Sequence, residues 1–106
     1  MTDINRRLVL VGLTTIAALP ARAATDHPVS IKGMKFNPAE LSVSVGDAVV
    51  FTNFDASTHT GSAKDGSFET GKLAKGDSAT VTIETAGDHA FFCRIHPSMK
   101  GTIHAV

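Results

Sequence analysis

An all-β sandwich is the fold this sequence predicts, and three observations carry that prediction. Apolar and polar residues alternate strictly in short runs, as in Leu41-Ser42-Val43-Ser44-Val45 and again through Ala79, Val81 and Ile83, which is the period of a half-buried strand. Turn signals built on Gly, Pro, Asn and Asp separate these runs: Asn37-Pro38, Gly46-Asp47 and Ala86-Gly87-Asp88. Beyond residue 23, no 3.6-residue periodicity of useful length appears. Short strands without helices to cover them hide their apolar faces by stacking two sheets, so the expected architecture is an antiparallel β-sandwich.

In chain order, residues 24–28 are polar and are expected to fray. Val29 to Phe36 supplies β-branched and apolar residues for a first strand, which Asn37-Pro38 breaks. Leu41 to Val45 forms the next, followed by the Gly46-Asp47 turn. Ala48 to Asn53 carries Val49-Val50-Phe51 without clean alternation and reads as a strand covered on both faces. Residues 54–77 are rich in Gly, Ser, Thr, Asp and Lys; they have room for one or two short strands, anchored by Phe68 and Leu73. Ser78 to Thr85 is again a strand. His89 to Cys93 and Thr102 to Val106 are the last two, joined by a short loop. No repeat, low-complexity tract or internal boundary divides residues 24–106, which read as one domain.

The first 23 residues have a different character. Arg6 and Arg7 precede an apolar stretch from Leu8 to Leu19, then Pro20 and an Ala21-Arg22-Ala23 cleavage signature. The stretch is too short for a stable transmembrane helix. Residues 1–23 are therefore expected to be an export signal, with adjacent arginines similar to the twin-arginine type and Asn5 and Val9 departing from it. Cleavage after Ala23 leaves 83 of the 106 residues, with 7 basic and 9 acidic side chains. A net charge of about −2 suits neither nucleic acid nor an anionic membrane surface. Cys93 is the only cysteine, so no cysteine stands at the cleavage site to carry a lipid anchor. A periplasmic location follows as an expectation. An exported chain with one cysteine cannot form an internal disulfide, and the leftover thiol needs another explanation.

Its surroundings supply one. The chain reads Phe91-Phe92-Cys93-Arg94-Ile95-His96-Pro97-Ser98-Met99-Lys100-Gly101, placing thiolate, imidazole and thioether three residues apart in turn. Soft sulfur suits Cu(I), imidazole suits both oxidation states, and a weak axial thioether tunes the potential. Pro97 disfavours a helical conformation at His96, so the spacing belongs to a tight loop. A trigonal site needs one more imidazole. His59, just beyond the Ala48 to Asn53 strand, is at a position where the chain leaving the sheet can reach the same end of the sandwich. A lone cysteine in a small domain is usually a buried hydrophobe, and a lone methionine usually core; the joint spacing is what reverses that reading. His27 lies in the expected frayed start, while His89 and His104 fall on strands and read as structural.

From about Val29 onward the chain resembles the cupredoxins, and within them the amicyanin group. The resemblance rests on Met34-Lys35-Phe36, on Pro38-Ala39-Glu40-Leu41-Ser42-Val43-Ser44-Val45-Gly46-Asp47, and on Asn53 six residues before His59. It rests further on Ala86-Gly87 and on Cys93-x2-His96-Pro97-Ser98-Met99-Lys100-Gly101. It implies an eight-or-so-stranded Greek-key sandwich holding one type 1 (blue) copper ion that cycles between Cu(I) and Cu(II). His59, Cys93 and His96 would be the equatorial ligands and Met99 the axial one. Asn53 would be the asparagine whose amide ties the two ligand loops together, orienting ligands from outside the metal's own shell. The implied role is a soluble, monomeric electron carrier, not an enzyme, whose partners are redox proteins such as a dehydrogenase, cytochrome or oxidase. Ser57 and Thr58 stand where relatives carry apolar residues, and Ser98 where an aromatic is common. That leaves Met34, Ile95 and Pro97 as the docking patch. Phe51 and Phe91 replace larger aromatics in a chain without Trp or Tyr.

Two other functions compete. Copper delivery calls for methionine- and histidine-rich exchange surfaces, whereas residues 24–106 hold only Met34 and Met99. A thiol enzyme using Cys93 and His96 would need a substrate cleft that a domain of this size does not suggest.

Overall fold

The computed structural model describes residues 23–106. The export segment expected over 1–23 lies outside these residues apart from Ala23. Eight strands follow in order: β1 Asp26–Ile31, β2 Phe36–Asn37, β3 Glu40–Val43, β4 Ala48–Asn53, β5 Ser62–Ala63, β6 Ser78–Thr82, β7 Gly87–Phe92 and β8 Lys100–Ala105. They form two four-stranded sheets, ordered β2-β1-β4-β6 and β3-β8-β7-β5. No helix occurs among the described residues.

The sandwich is as expected, but its sheets are mixed rather than purely antiparallel. β1 runs parallel to β4, and β3 parallel to β8. The cause is topological. The chain crosses from one sheet to the other between β2 and β3 and at each step from β3 through β7. Strands that become neighbours are therefore not always joined by a hairpin, and only a hairpin imposes the antiparallel sense.

The expected first strand, Val29 to Phe36, is instead a hairpin of β1 and β2, with Ile31 opposite Phe36. Its turn contains Gly33 and Met34, both at positive φ. For a methionine this backbone conformation is strained. Here the Gly33 and Met34 N–H groups both donate to the Asp55 carboxylate, at 2.9 Å each, which offsets the strain. Residues 26–28, within the segment expected to fray, are also more ordered than composition suggested, since Asp26 already pairs with Ala48. Buried Asp47 holds this segment: its carboxylate accepts from the Thr25 N–H at 3.1 Å and meets His27 Nε2 at 2.9 Å.

Alternation decides what each strand buries. Val29 and Ile31 of β1, Val49 and Phe51 of β4, and Val81 of β6 face Val43, Phe91 and Ile103 of the other sheet. On β4, Val50 and Thr52 are half-covered, so only one face is fully buried. Phe91 is the centre of an aromatic cluster, with ring centroids 4.8 Å from Phe36 and 5.6 Å from Phe51 in edge-on geometry. Such pairs add roughly 0.5–1.5 kcal/mol beyond area burial. Phe68 and Leu73, the anchors expected in the 54–77 segment, are both buried in this core.

Candidate metal centre

All the sequence-derived ligands come to one end of the sandwich, where β4, β7 and β8 end or begin. β4 stops at Asn53, and six residues later His59 turns inward, fully buried. β7 ends at Phe92, so period-2 alternation turns Phe91 and Cys93 to the same inner face, both fully buried. The loop from Cys93 to Met99 is irregular, as Pro97 requires. It closes on itself through Cys93 N–H to Met99 O at 3.1 Å and Met99 N–H to His96 O at 2.9 Å. Met99 is buried at its end, and His96 is half-exposed.

Cys93 Sγ lies 3.8 Å from His59 Nδ1 and 3.9 Å from His96 Nδ1. The three donor atoms all fall within 4.8 Å of one another. Metal–sulfur and metal–nitrogen bonds of about 2.3 and 2.0 Å, spread at trigonal angles, put the donors roughly 3.7 Å apart. The observed sulfur–nitrogen distances thus fit donors that would share one ion. Thiolate with two imidazoles, with a buried methionine at the end of the same loop, is a copper donor set.

Two side chains that the sequence reading did not assign hold this arrangement. Asp55 Oδ2 is 3.0 Å from His59 Nε2. A carboxylate there accepts the Nε2 proton and leaves the Nδ1 lone pair facing the cysteine, the usual way an outer carboxylate fixes a ligand's tautomer. The Asp55 carboxyl sits below its usual range, chiefly because of the Met34 and Gly33 N–H donors and to a lesser degree because of His59. Thr60 is the second. Its N–H points at Cys93 Sγ over 3.3 Å, and its Oγ1 accepts from the Arg94 N–H at 2.9 Å.

Thr60 therefore makes the link between ligand loops that was expected of Asn53. The Asn53 amide donates to Ser57 O and Leu73 O, both at 2.8 Å, and its oxygen accepts from the Asp55 N–H at 2.9 Å. Asn53 shapes the loop leading to His59 from within. The other histidines are occupied elsewhere: His27 with Asp47, His89 with Asp65, His104 with Asp88 and Glu40. Met34, Ile95 and Phe54 are exposed apolar side chains.

Comparison with known proteins agrees with the geometry. A family model described as a cupredoxin-like domain matches residues 7–105. The chain belongs to the cupredoxins. Among curated relatives, this cupredoxin is 30% identical to amicyanin-alpha of Methylorubrum extorquens, over 89% of its own length and 90% of the relative's. To amicyanin of Paracoccus versutus it is 27% identical, covering 84% and 75% respectively. Its fold superposes on a reduced amicyanin variant with a TM-score of 0.71 at 29% identity, covering 85% of this chain and 89% of that one. The cofactor of this cupredoxin is copper, one ion, and the donors at its site suit that ion.

Proposed function

We propose that this protein is a small, soluble, monomeric one-electron carrier, with His59, Cys93 and His96 as equatorial copper ligands and Met99 as the axial one. The observation that carries the reading is the preassembled donor set: cysteine sulfur 3.8 and 3.9 Å from the two imidazole nitrogens, all three within 4.8 Å of one another, with two of the three ligands fully buried. Copper, when bound, supplies a couple between Cu(I) and Cu(II). The protein's part is to keep the donors from moving. Asp55 holds the His59 ring, the Thr60 N–H stabilises negative charge on Cys93 sulfur, and the self-closed loop fixes His96 and Met99. Ligands that cannot rearrange keep the reorganisation cost of electron transfer small.

Half-exposed His96, with exposed Ile95 and Pro97 beside it in the loop, is the port through which redox proteins would exchange electrons. The buried His59 and Cys93 favour this role over copper delivery, which needs ligands that a recipient can reach. Export through residues 1–23, with cleavage after Ala23 and release to the periplasm, belongs to the same reading; the Arg6-Arg7 pair and the apolar run support it.

Voltammetry of the copper-loaded protein tests the function. A reversible one-electron couple is expected, with the midpoint rising in Met99→Leu because loss of the thioether removes donation that favours Cu(II). Absence of a reversible couple would sink the carrier reading. A midpoint identical in the variant would remove Met99 from the axial position.

A further inference from the structure

The segment from His59 to Leu73 is an irregular hairpin arm. His59 and Leu73 exchange backbone hydrogen bonds at 3.1 and 2.7 Å, Thr70 N–H donates to Gly61 O at 3.0 Å, and Ala63 N–H donates to Phe68 O at 3.0 Å. His59 thus stands at the root of the arm, and the turn 64–67 is its tip. The arm's β5 pairs with β7, and the Lys64 N–H donates to Ala90 O at 2.8 Å; beyond Lys64 the turn is fastened to the body at one side chain, His89 on β7.

His89 is 5% exposed. Its Nδ1 lies 2.7 Å from Asp65 Oδ2 at the tip, with Ser67 Oγ at 3.5 Å, and its Nε2 lies 2.8 Å from Thr85 O in the turn before β7. Asp65 is itself anchored by the Ser67 N–H, at 2.8 Å to Oδ1. A backbone carbonyl can only accept, and so can an ionised carboxylate. A neutral imidazole has one N–H to give, so both bonds exist together only on the imidazolium.

We propose that His89 is a proton-operated clip: as the imidazolium it pins residues 65–67, at the end of the arm that carries His59, to the turn preceding β7, and loss of its proton releases those residues while the Lys64–Ala90 bond stays. The surrounding charges agree with the geometry. The ring's pKa is raised above the ordinary histidine value, first by the Thr85 carbonyl and then by the Asp65 carboxylate, against the opposing effect of burial; Asp88 on the same strand adds to the rise. Asp65 is pulled down to about 2, first by the Ser67 hydroxyl and then by His89.

The sign follows. A histidine with a raised folded pKa contributes stability that is full below its unfolded value, about 6.5, and lost as pH climbs through the folded one. Asp65 contributes above its unfolded value and loses that contribution only toward pH 2. The clip is therefore closed at mildly acidic pH and opens as pH climbs through a midpoint above the ordinary histidine value. Opening loosens Phe68, which adjoins the tip and packs against Phe51 and Phe91 at ring distances of 6.0 and 6.2 Å.

The test is an NMR titration of the imidazoles in the Cu(I)-loaded protein, with His89 assigned by its absence in His89→Gln. The His89 midpoint is expected above about 6.5, and Asp65→Asn should lower it by about 1 unit. Exchange protection of the Gly66 and Ser67 amides should fall above that midpoint in wild type and be lower, without that step, in His89→Gln. A wild-type midpoint at or below 6.5, or one that Asp65→Asn leaves in place, would overturn the clip. The wild-type titration decides the matter if either variant fails to fold.

Discussion

Replacing Cys93 with serine is expected to abolish the visible colour and the reversible couple of the copper-loaded protein while leaving the fold intact. The separation of these two effects follows from the site. Cys93 is fully buried, and its sulfur accepts the Thr60 N–H at 3.3 Å. A serine hydroxyl is nearly isosteric and still accepts that bond, so the buried N–H is not left orphaned, an outcome that would cost about 1–3 kcal/mol. What serine cannot supply is a thiolate. The intense band comes from charge transfer from sulfur to Cu(II), and no other cysteine exists in the chain to replace it. Circular dichroism of the metal-free variant should match wild type. A variant that kept an intense visible band would place the chromophore somewhere other than Cys93.

Gly101→Ala is expected to be the most damaging single methyl addition in the domain. A Cβ at this position would lie 2.5 Å from the Ala39 carbonyl oxygen, 2.8 Å from Phe91 Cε1 and closer still to Phe91 Cζ. Neither neighbour can yield. The Ala39 carbonyl accepts the Thr102 N–H at 2.8 Å, and the Phe91 ring is held by Phe36, Phe51 and Phe68. Overpacking of this kind costs about 1–3 kcal/mol and sometimes more; with backbone as one partner we expect the upper part of that range. For a domain of this size the loss corresponds to a fall in Tm of roughly 10–20 °C. Gly101 pairs directly with Phe91, two residues before Cys93, so the base of the ligand loop shifts as well. Thermal unfolding of the metal-free variant checks the prediction, and a Tm within about 3 °C of wild type would refute it.

Much of this molecule is legible in the sequence, and the parts that are not have identifiable causes. β4 spans Ala48–Asn53 as read, because a β-branched run ends at a residue that commonly closes strands. The cluster of His59, Cys93 and His96 was legible because chemistry restricts which residue types combine in a short metal-binding loop. The parallel pairings were not, since alternation fixes which face a strand buries but not which strand lies beside it. The β1–β2 turn was also missed. Met34 sits at positive φ there only because Asp55, more than twenty residues away, receives its N–H and that of Gly33. Asp55 left one faint trace, a carboxylate four residues before a ligand histidine, which any polar loop also offers. Thr60 left none, because its role depends on two loops meeting in space.

His59, Cys93 and His96 are proposed to share one copper ion, and one measurement tests that most directly. Cu(II) added in a single equivalent to the purified metal-free protein should produce an intense visible thiolate-to-copper band and an electron-paramagnetic-resonance signal of the blue-copper type. Colourless protein with an ordinary tetragonal copper signal would contradict it.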